Sequence, residues 1–205
     1  MLYDLIWHLS TFSILIPVAV SLIAWKFIRS KPLKLITYYL FTYLFIEILL
    51  YLLADQKINN LPVIHLFTIT EFIFLSLVYH RAFSYPFGKA VAKWTVPVFV
   101  LFAICSAVYL QGIYTYNSYV RGAEAFIISF YALLYLYEVF MEAKIERLES
   151  YPFFWVNAGL LLYFAGNLFF FLLSNLLLSE SEKMLKESWI IHFILNIEIT
   201  LFFKI

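Results

Sequence analysis

The sequence predicts an all-α integral membrane protein: one domain over residues 1–205 with seven transmembrane helices, N-terminus outside and C-terminus in the cytoplasm. Composition is the first observation behind this. Of the 205 residues, 64% are hydrophobic and only 13% charged, and mean hydropathy is +0.90. Soluble domains run nearer about 45–50% apolar and about 25% charged. A soluble interior of this length cannot hold the excess, and lipid can. The second observation is the spacing of apolar stretches, and the third is the uneven distribution of lysine and arginine.

About 20 apolar residues rising 1.5 Å each cross a hydrocarbon core of about 30 Å. Stretches at 5–27, 34–54, 61–80, 90–111, 119–141, 152–178 and 186–203 meet that length. The first lacks the basic flank and small-residue cleavage site of a signal peptide, so it is expected to stay in the mature protein. It carries Pro17, which membrane helices tolerate as a kink. Pro32 opens the second, and Asn59-Asn60 then Pro62 separate the second from the third. Pro86 precedes the fourth, which carries Pro97 as another kink and Cys105 as a small core residue. Tyr116-Asn117-Ser118 reads as the loop before the fifth. Beyond the fifth, Glu138, Glu142, Lys144, Glu146, Arg147 and Glu149 read as a solvated helical extension and a natural docking surface. Pro152 starts the sixth, where Gly159 and Gly166 predict close helix contact.

Lys26, Arg29, Lys31, Lys34, Arg81, Lys89, Lys93, Lys144, Arg147 and Lys204 fall on one side of such a topology. Lys57, Arg121, Lys183 and Lys186 fall on the other. Because cytoplasmic loops carry the excess of positive charge, the first group is placed inside. All five tryptophans lie near predicted span ends, as an aromatic belt requires. The net charge of +1 argues against nucleic acid, and the single cysteine excludes an intrachain disulfide.

An internal repeat is legible. Ile64-His65 is followed by Glu71, and Ile191-His192 by Glu198 at the same distance. Tyr43, Glu47 and Asp55 are spaced as Tyr163, Asn167 and Asn175 are. The pattern predicts three helices, a linker helix at 90–111 and three more helices in the same orientation. The halves run roughly 1–85 and 116–205. A parallel repeat of this kind implies a pseudo-two-fold axis along the membrane normal.

Charges inside hydrocarbon cost roughly 2.5–3.5 kcal/mol each on insertion scales and so mark function or interior packing. The candidate ligand- or ion-binding residues are Glu47, His65, Glu71, Arg121, Glu124, Asn167, His192, Asn196 and Glu198. Counting the rise per residue puts the two histidines about 6–9 Å below the outer surface, with Glu71 and Glu198 about 9 Å deeper. Arg121 and Glu124 fall at or above the histidines, and Glu47 and Asn167 near the deeper layer. The inner half is almost wholly apolar apart from Asn157, so the pattern predicts a cavity opening outward. His65, His192 and Glu124 are candidates for a metal, with interhelical hydrogen bonding as the alternative. Arg121 reads either as a local ion pair with Glu124 or as the holder of an anionic ligand group in an outer vestibule. Tyr38, Tyr39, Tyr43, Tyr131, Tyr135 and Tyr163 are available to line a pocket.

The run Pro152-Phe153-Phe154-Trp155-Val156-Asn157, with Tyr163-Phe164, Gly166-Asn167, Trp189-Ile190-Ile191-His192 and the Leu61-Pro62…His65…Glu71 stretch, resembles a group of small bacterial seven-helix proteins. That resemblance implies a bacterial cytoplasmic membrane and a sensory or accessory role beside sensor histidine kinases. It carries no catalytic residues. Retinal proteins need a lysine in the middle of the last helix, where this chain has only Lys204 at the end. Ceramidase-like hydrolases need a second histidine where Asn196 stands, and the proline-glutamine motif of SWEET transporters is missing. The expectation is a sensor or receptor-like protein that needs no cofactor. It would sit in a lipid bilayer and signal to a partner such as a histidine kinase, or to a second copy. The alternative is a small-solute or cation transporter with parallel repeats, and the third reading a membrane metalloenzyme.

Overall fold

The computed structural model describes residues 2–142, 148–180 and 182–202, and among them there is helix and no strand. The helices are α1 (Leu2–Ser13), α2 (Leu15–Ala24), α3 (Lys31–Asp55), α4 (Leu61–Ala82), α5 (Pro86–Cys105), α6 (Ser118–Glu142), α7 (Pro152–Glu180) and α8 (Glu182–Phe202). One turn of π-helix, Ser106–Leu110, extends α5, and a 3-10 turn, Leu148–Ser150, precedes α7. Six helical segments are long and apolar enough to cross a membrane, with α1 and α2 counted together as Leu5–Ala24; Trp189–Phe202 is a shorter apolar helix. The surface agrees: Phe27, Ile23, Phe169 and Val98 are each at least 68% exposed, which only lipid makes tolerable. This is the architecture of a multi-pass membrane protein.

Proline sets most of the boundaries. It occupies the first turn of α3, α4 and α5 and the first residue of α7, where its missing N–H would be unpaired in any case. Inside a helix the same residue is disruptive. The Pro17 ring crowds the carbonyl four residues back, at Ser13, and the helix breaks at Ile14. The kink expected from Pro17 is thus a one-residue break: Ile14 keeps helical dihedrals (φ −58°, ψ −25°), its carbonyl still accepts from Val18 N–H at 3.2 Å, and α1 and α2 together make one membrane-length segment. Pro97 lies within α5 without ending it. The π turn, in which the Gln111 N–H donates to Ser106 O at 2.9 Å, has no counterpart in the sequence reading.

The helices close into a ring. α3 packs on α2 and α4, α4 on α6, α6 on α7, and α7 on α8, which returns to α1 and α2. α5 lies outside the ring against α4 and α6. Close approach follows the glycines, as the sequence suggests. A Cβ on Gly159 would meet Phe202 Cβ at 2.6 Å and one on Gly166 would meet Leu195 Cδ1 at 2.9 Å, both across the α7–α8 contact. Within the ring, α2 supplies the packing against α3, while α1 leans on α8.

One end of the bundle carries Lys26, Arg29, Lys31, Lys34, Arg81, Lys89 and Lys93, and is called the basic end below. Lys144, Arg147 and Lys204, which the charge reading also uses, and Glu146 of the expected docking surface lie outside the described residues.

Candidate functional site

The charged centre is built from four helices. Arg121 sits in the first turn of α6, its N–H donating to Asn117 O at 2.9 Å. Three residues on, Glu124 falls on the same face and accepts from Arg121 Nη1 at 2.9 Å. The same Nη1 also donates to Glu71 Oε2 on α4. Tyr39 on α3 donates its hydroxyl to the other Glu71 oxygen at 2.5 Å. The face of Phe171, from α7, lies 4.6 Å from the guanidinium carbon. Glu71 is 2% exposed, Glu124 0% and Arg121 7%, so this is an ion cluster fully inside the bundle.

The cluster is incompletely satisfied. Arg121 Nε, Glu124 Oε1 and Asn117 Oδ1 are buried and have no hydrogen-bond partner among the described residues. Asn117, Arg121 and Glu124 follow one stripe of α6, spaced four and then three residues apart. Buried polar atoms almost always find partners. A stripe with three orphans is a place where water or a small polar ligand gains hydrogen bonds. Asn117 also donates to Thr68 Oγ1 at 2.9 Å, and Asn175 donates to Tyr116 O and Ser118 Oγ at 2.9 and 3.0 Å, which pins the segment leading into α6.

Beside the cluster is a central cavity lined by Ser13, Tyr39, Glu71, Tyr163, Asn196 and Thr200 among others. Its volume, about 20 Å³, suits roughly one water. The sequence reading expects a polar cavity opening outward; Glu47 and Asp55 line a surface cleft of that kind between α1 and α3, whereas the Arg121 centre is buried. There the polar side chains are packed against one another. Arg121 is likewise not in a vestibule: its long side chain spans the depth difference to Glu71 and is desolvated there.

The remaining candidates are dispersed. His65 Nε2–H donates to Thr115 O at 2.9 Å, at the end opposite the basic one. His192 Nδ1–H donates to Asn167 Oδ1 at 3.0 Å, with Phe170 stacked at 5.3 Å between ring centres and Trp189 edge-on at 5.4 Å. The histidines therefore do not form the pair that equal depth suggested, and Glu124 is engaged by Arg121. Among the described residues no group of three or more His, Cys, Asp or Glu is placed to hold a metal. Asn196 reaches α1, donating to Ser10 Oγ at 2.9 Å, rather than sharing a partner with His192. Glu47 lines a cleft between α1 and α3, away from Asn167. Glu198 is half-buried and has no hydrogen-bond or ion-pair partner among the described residues. Of the suggested tyrosines, Tyr39, Tyr43 and Tyr163 do line the central cavity, and Tyr38 is half exposed against Trp25.

Toward the basic end the bundle is sealed. Tyr79 donates to Asn157 Oδ1 at 2.8 Å, and Asn157 donates to Ala132 O at 3.3 Å. Phe83, Tyr131 and Phe153 fill the space around them, each 3% exposed or less. Below this plug lies a residue that sequence reasoning misassigned. Glu138 is not solvated: it is 3% exposed and accepts from the N–H groups of Ser84 and Tyr85 at 2.7 and 3.3 Å, stabilising the start of α5. Gly88 gives it room, since a Cβ there would meet Glu138 Oε1 at 2.7 Å. The signal was present in the spacing. Glu124, Tyr131 and Glu138 recur every seven residues on the buried face of α6.

No family model, curated protein or solved structure matches the chain.

Proposed function

We propose that this chain is a sensor or receptor-like membrane protein that binds a small ligand, ion or proton at the Arg121–Glu71–Glu124 centre and passes the change to a partner. The observation that carries the reading is the contrast along the bundle axis. A buried, incompletely satisfied ion cluster ties α4 to α6, and the Tyr79–Asn157 plug closes the route beyond it. A receptor needs the first and tolerates the second. In this reading the protein has seven spans with the N-terminus outside, and it resides in a bacterial cytoplasmic membrane. A histidine kinase or a second copy receives the signal. Binding at the cluster would shift α4 against α6, because Glu71 and Glu124 both rely on the one guanidinium.

The test is hydrogen–deuterium exchange on the protein in nanodiscs, across the acid-to-neutral range and with sodium added. The expected result is a change in protection of the starts of α4 and α6 that is absent in a Glu71→Gln/Glu124→Gln protein. Identical exchange in all conditions would overturn the proposal for protons and sodium.

A second reading, a small-solute or cation transporter, is favoured by the pattern of helix neighbours. If the first segment, α3 and α4 are matched in chain order with α6, α7 and α8, the α4–α6 contact corresponds to the α8–α1 contact. Parallel-repeat transporters are related in this way, with their binding site at the repeat interface. Uptake into proteoliposomes that tracks Glu71 and Glu198 would select this reading over the receptor.

A further inference from the structure

The Pro17 break has a second effect on the lateral surface. α2 packs on α3 but α1 turns toward α8, so the stripe Leu44, Glu47, Ile48, Tyr51 and Asp55 of α3 faces Trp7 and Thr11 of α1 and Leu15 at the start of α2 across a crevice. The crevice has two chemically different parts that share Thr11, Glu47 and Tyr51 and are therefore continuous. Near the end of α3 is a cleft of about 430 Å³ bounded by Trp7, Tyr51, Glu47 and Asp55. That volume lies in the range of small-molecule sites. Further along is an apolar groove of about 190 Å³ formed by Phe12, Leu15, Leu44 and Ile48. From Leu44 to Asp55 the helix rises some 16 Å, enough for a headgroup and the first part of a hydrocarbon chain.

Charge decides the head. Two carboxylates and two aromatic faces line the wide part, and among the described residues no lysine or arginine lines either part. Among the described residues neither Glu47 nor Asp55 is in an ion pair. Carboxylates attract an ammonium group and repel a net anion. Tryptophan and tyrosine faces add cation–π attraction. We infer that the α1–α3 crevice binds an amphiphile with an ammonium headgroup, the head between Trp7, Tyr51, Glu47 and Asp55 and the chain along Leu15, Leu44 and Ile48. The site shares no residue with the Arg121–Glu71–Glu124 cluster.

The test is native mass spectrometry of the detergent-purified chain with lysophosphatidylethanolamine, chain-matched lysophosphatidylglycerol and free ethanolamine. The wild type is expected to retain the amine lipid about tenfold better than the glycerol lipid. Glu47→Gln/Asp55→Asn should abolish that preference, and Ile48→Trp, which fills the groove at an exposed position, should weaken retention of the amine lipid about tenfold. Circular dichroism checks that each variant keeps its helix content. Equal retention of the two lipids by the wild type overturns the proposal, as does a preference that survives the double substitution. Undiminished retention in the Ile48→Trp protein overturns it too, and so does ethanolamine displacing the lipid at equal concentration.

Discussion

α4 and α8 carry the same short pattern, an isoleucine–histidine pair and a glutamate six residues on, yet the two helices use it in opposite ways. On α4 the glutamate is the buried, engaged residue and the histidine sits at the end of the bundle against a backbone carbonyl. On α8 the histidine is enclosed by aromatic rings and bonded to Asn167, and the glutamate is half-buried without a partner among the described residues. The neighbour causes the difference. α4 packs on α6, which presents Arg121, whereas α8 packs on α1, which presents Ser10 and Ser13. The same short pattern thus ends in different surroundings, and the adjoining helix sets what each residue does.

The contrast can be broken most sharply at Arg121. Arg121→Met strands two buried carboxylates on α4 and α6 and should cost about 3–5 kcal/mol in unfolding measured in mixed micelles, whereas Glu198→Gln should change it by no more than about 0.5 kcal/mol. The histidines should reverse that order. His192→Ala opens a cavity among Phe170, Phe171 and Trp189 and orphans Asn167 Oδ1, costing about 2 kcal/mol, against about 0.5 kcal/mol for His65→Ala. Equal losses at both histidines in the same assay would mean that the two helices are used alike. The last comparison is with the plug. Tyr79→Phe leaves Asn157 Oδ1 unpaired and should cost about 1 kcal/mol while leaving the Arg121 cluster's own contribution unchanged. A double Tyr79→Phe/Arg121→Met protein should therefore show additive losses.

The fold was largely legible because its determinants are local. Stretches of apolar residues, a proline in the first turn of four helices and glycines on α7 act where they stand in the chain. The site was legible in membership and not in partnership. Glu71, Arg121 and Glu124 were all singled out as buried charges, but pairing Arg121 with Glu71 depends on which helix lies beside α4 and on how far a guanidinium reaches. Counting depth by Cα rise ignores that reach. Around Arg121 the side chains counted as lining an open cavity fill it for the same reason, and the open cleft lies instead beside Glu47 and Asp55. Glu138 was misread because it stands among acidic and basic residues that close the fifth stretch. Only its position seven residues beyond Tyr131 showed that the buried face continues that far.

The hydrogen bond from Asn196 to Ser10 joins residues 186 positions apart and closes the ring. Chain synthesis runs from the N-terminus, so α1 must spend most of that time beside lipid, with Ser10 and Ser13 unclaimed by the helix that will cover them. α8 has the shorter apolar length and gains its place by docking on helices already present. Assembly of this bundle is thus a two-ended event with one late latch. A substitution at Ser10 or Asn196 would be felt in the rate at which the finished chain becomes protease-resistant, before any change in the resting protein.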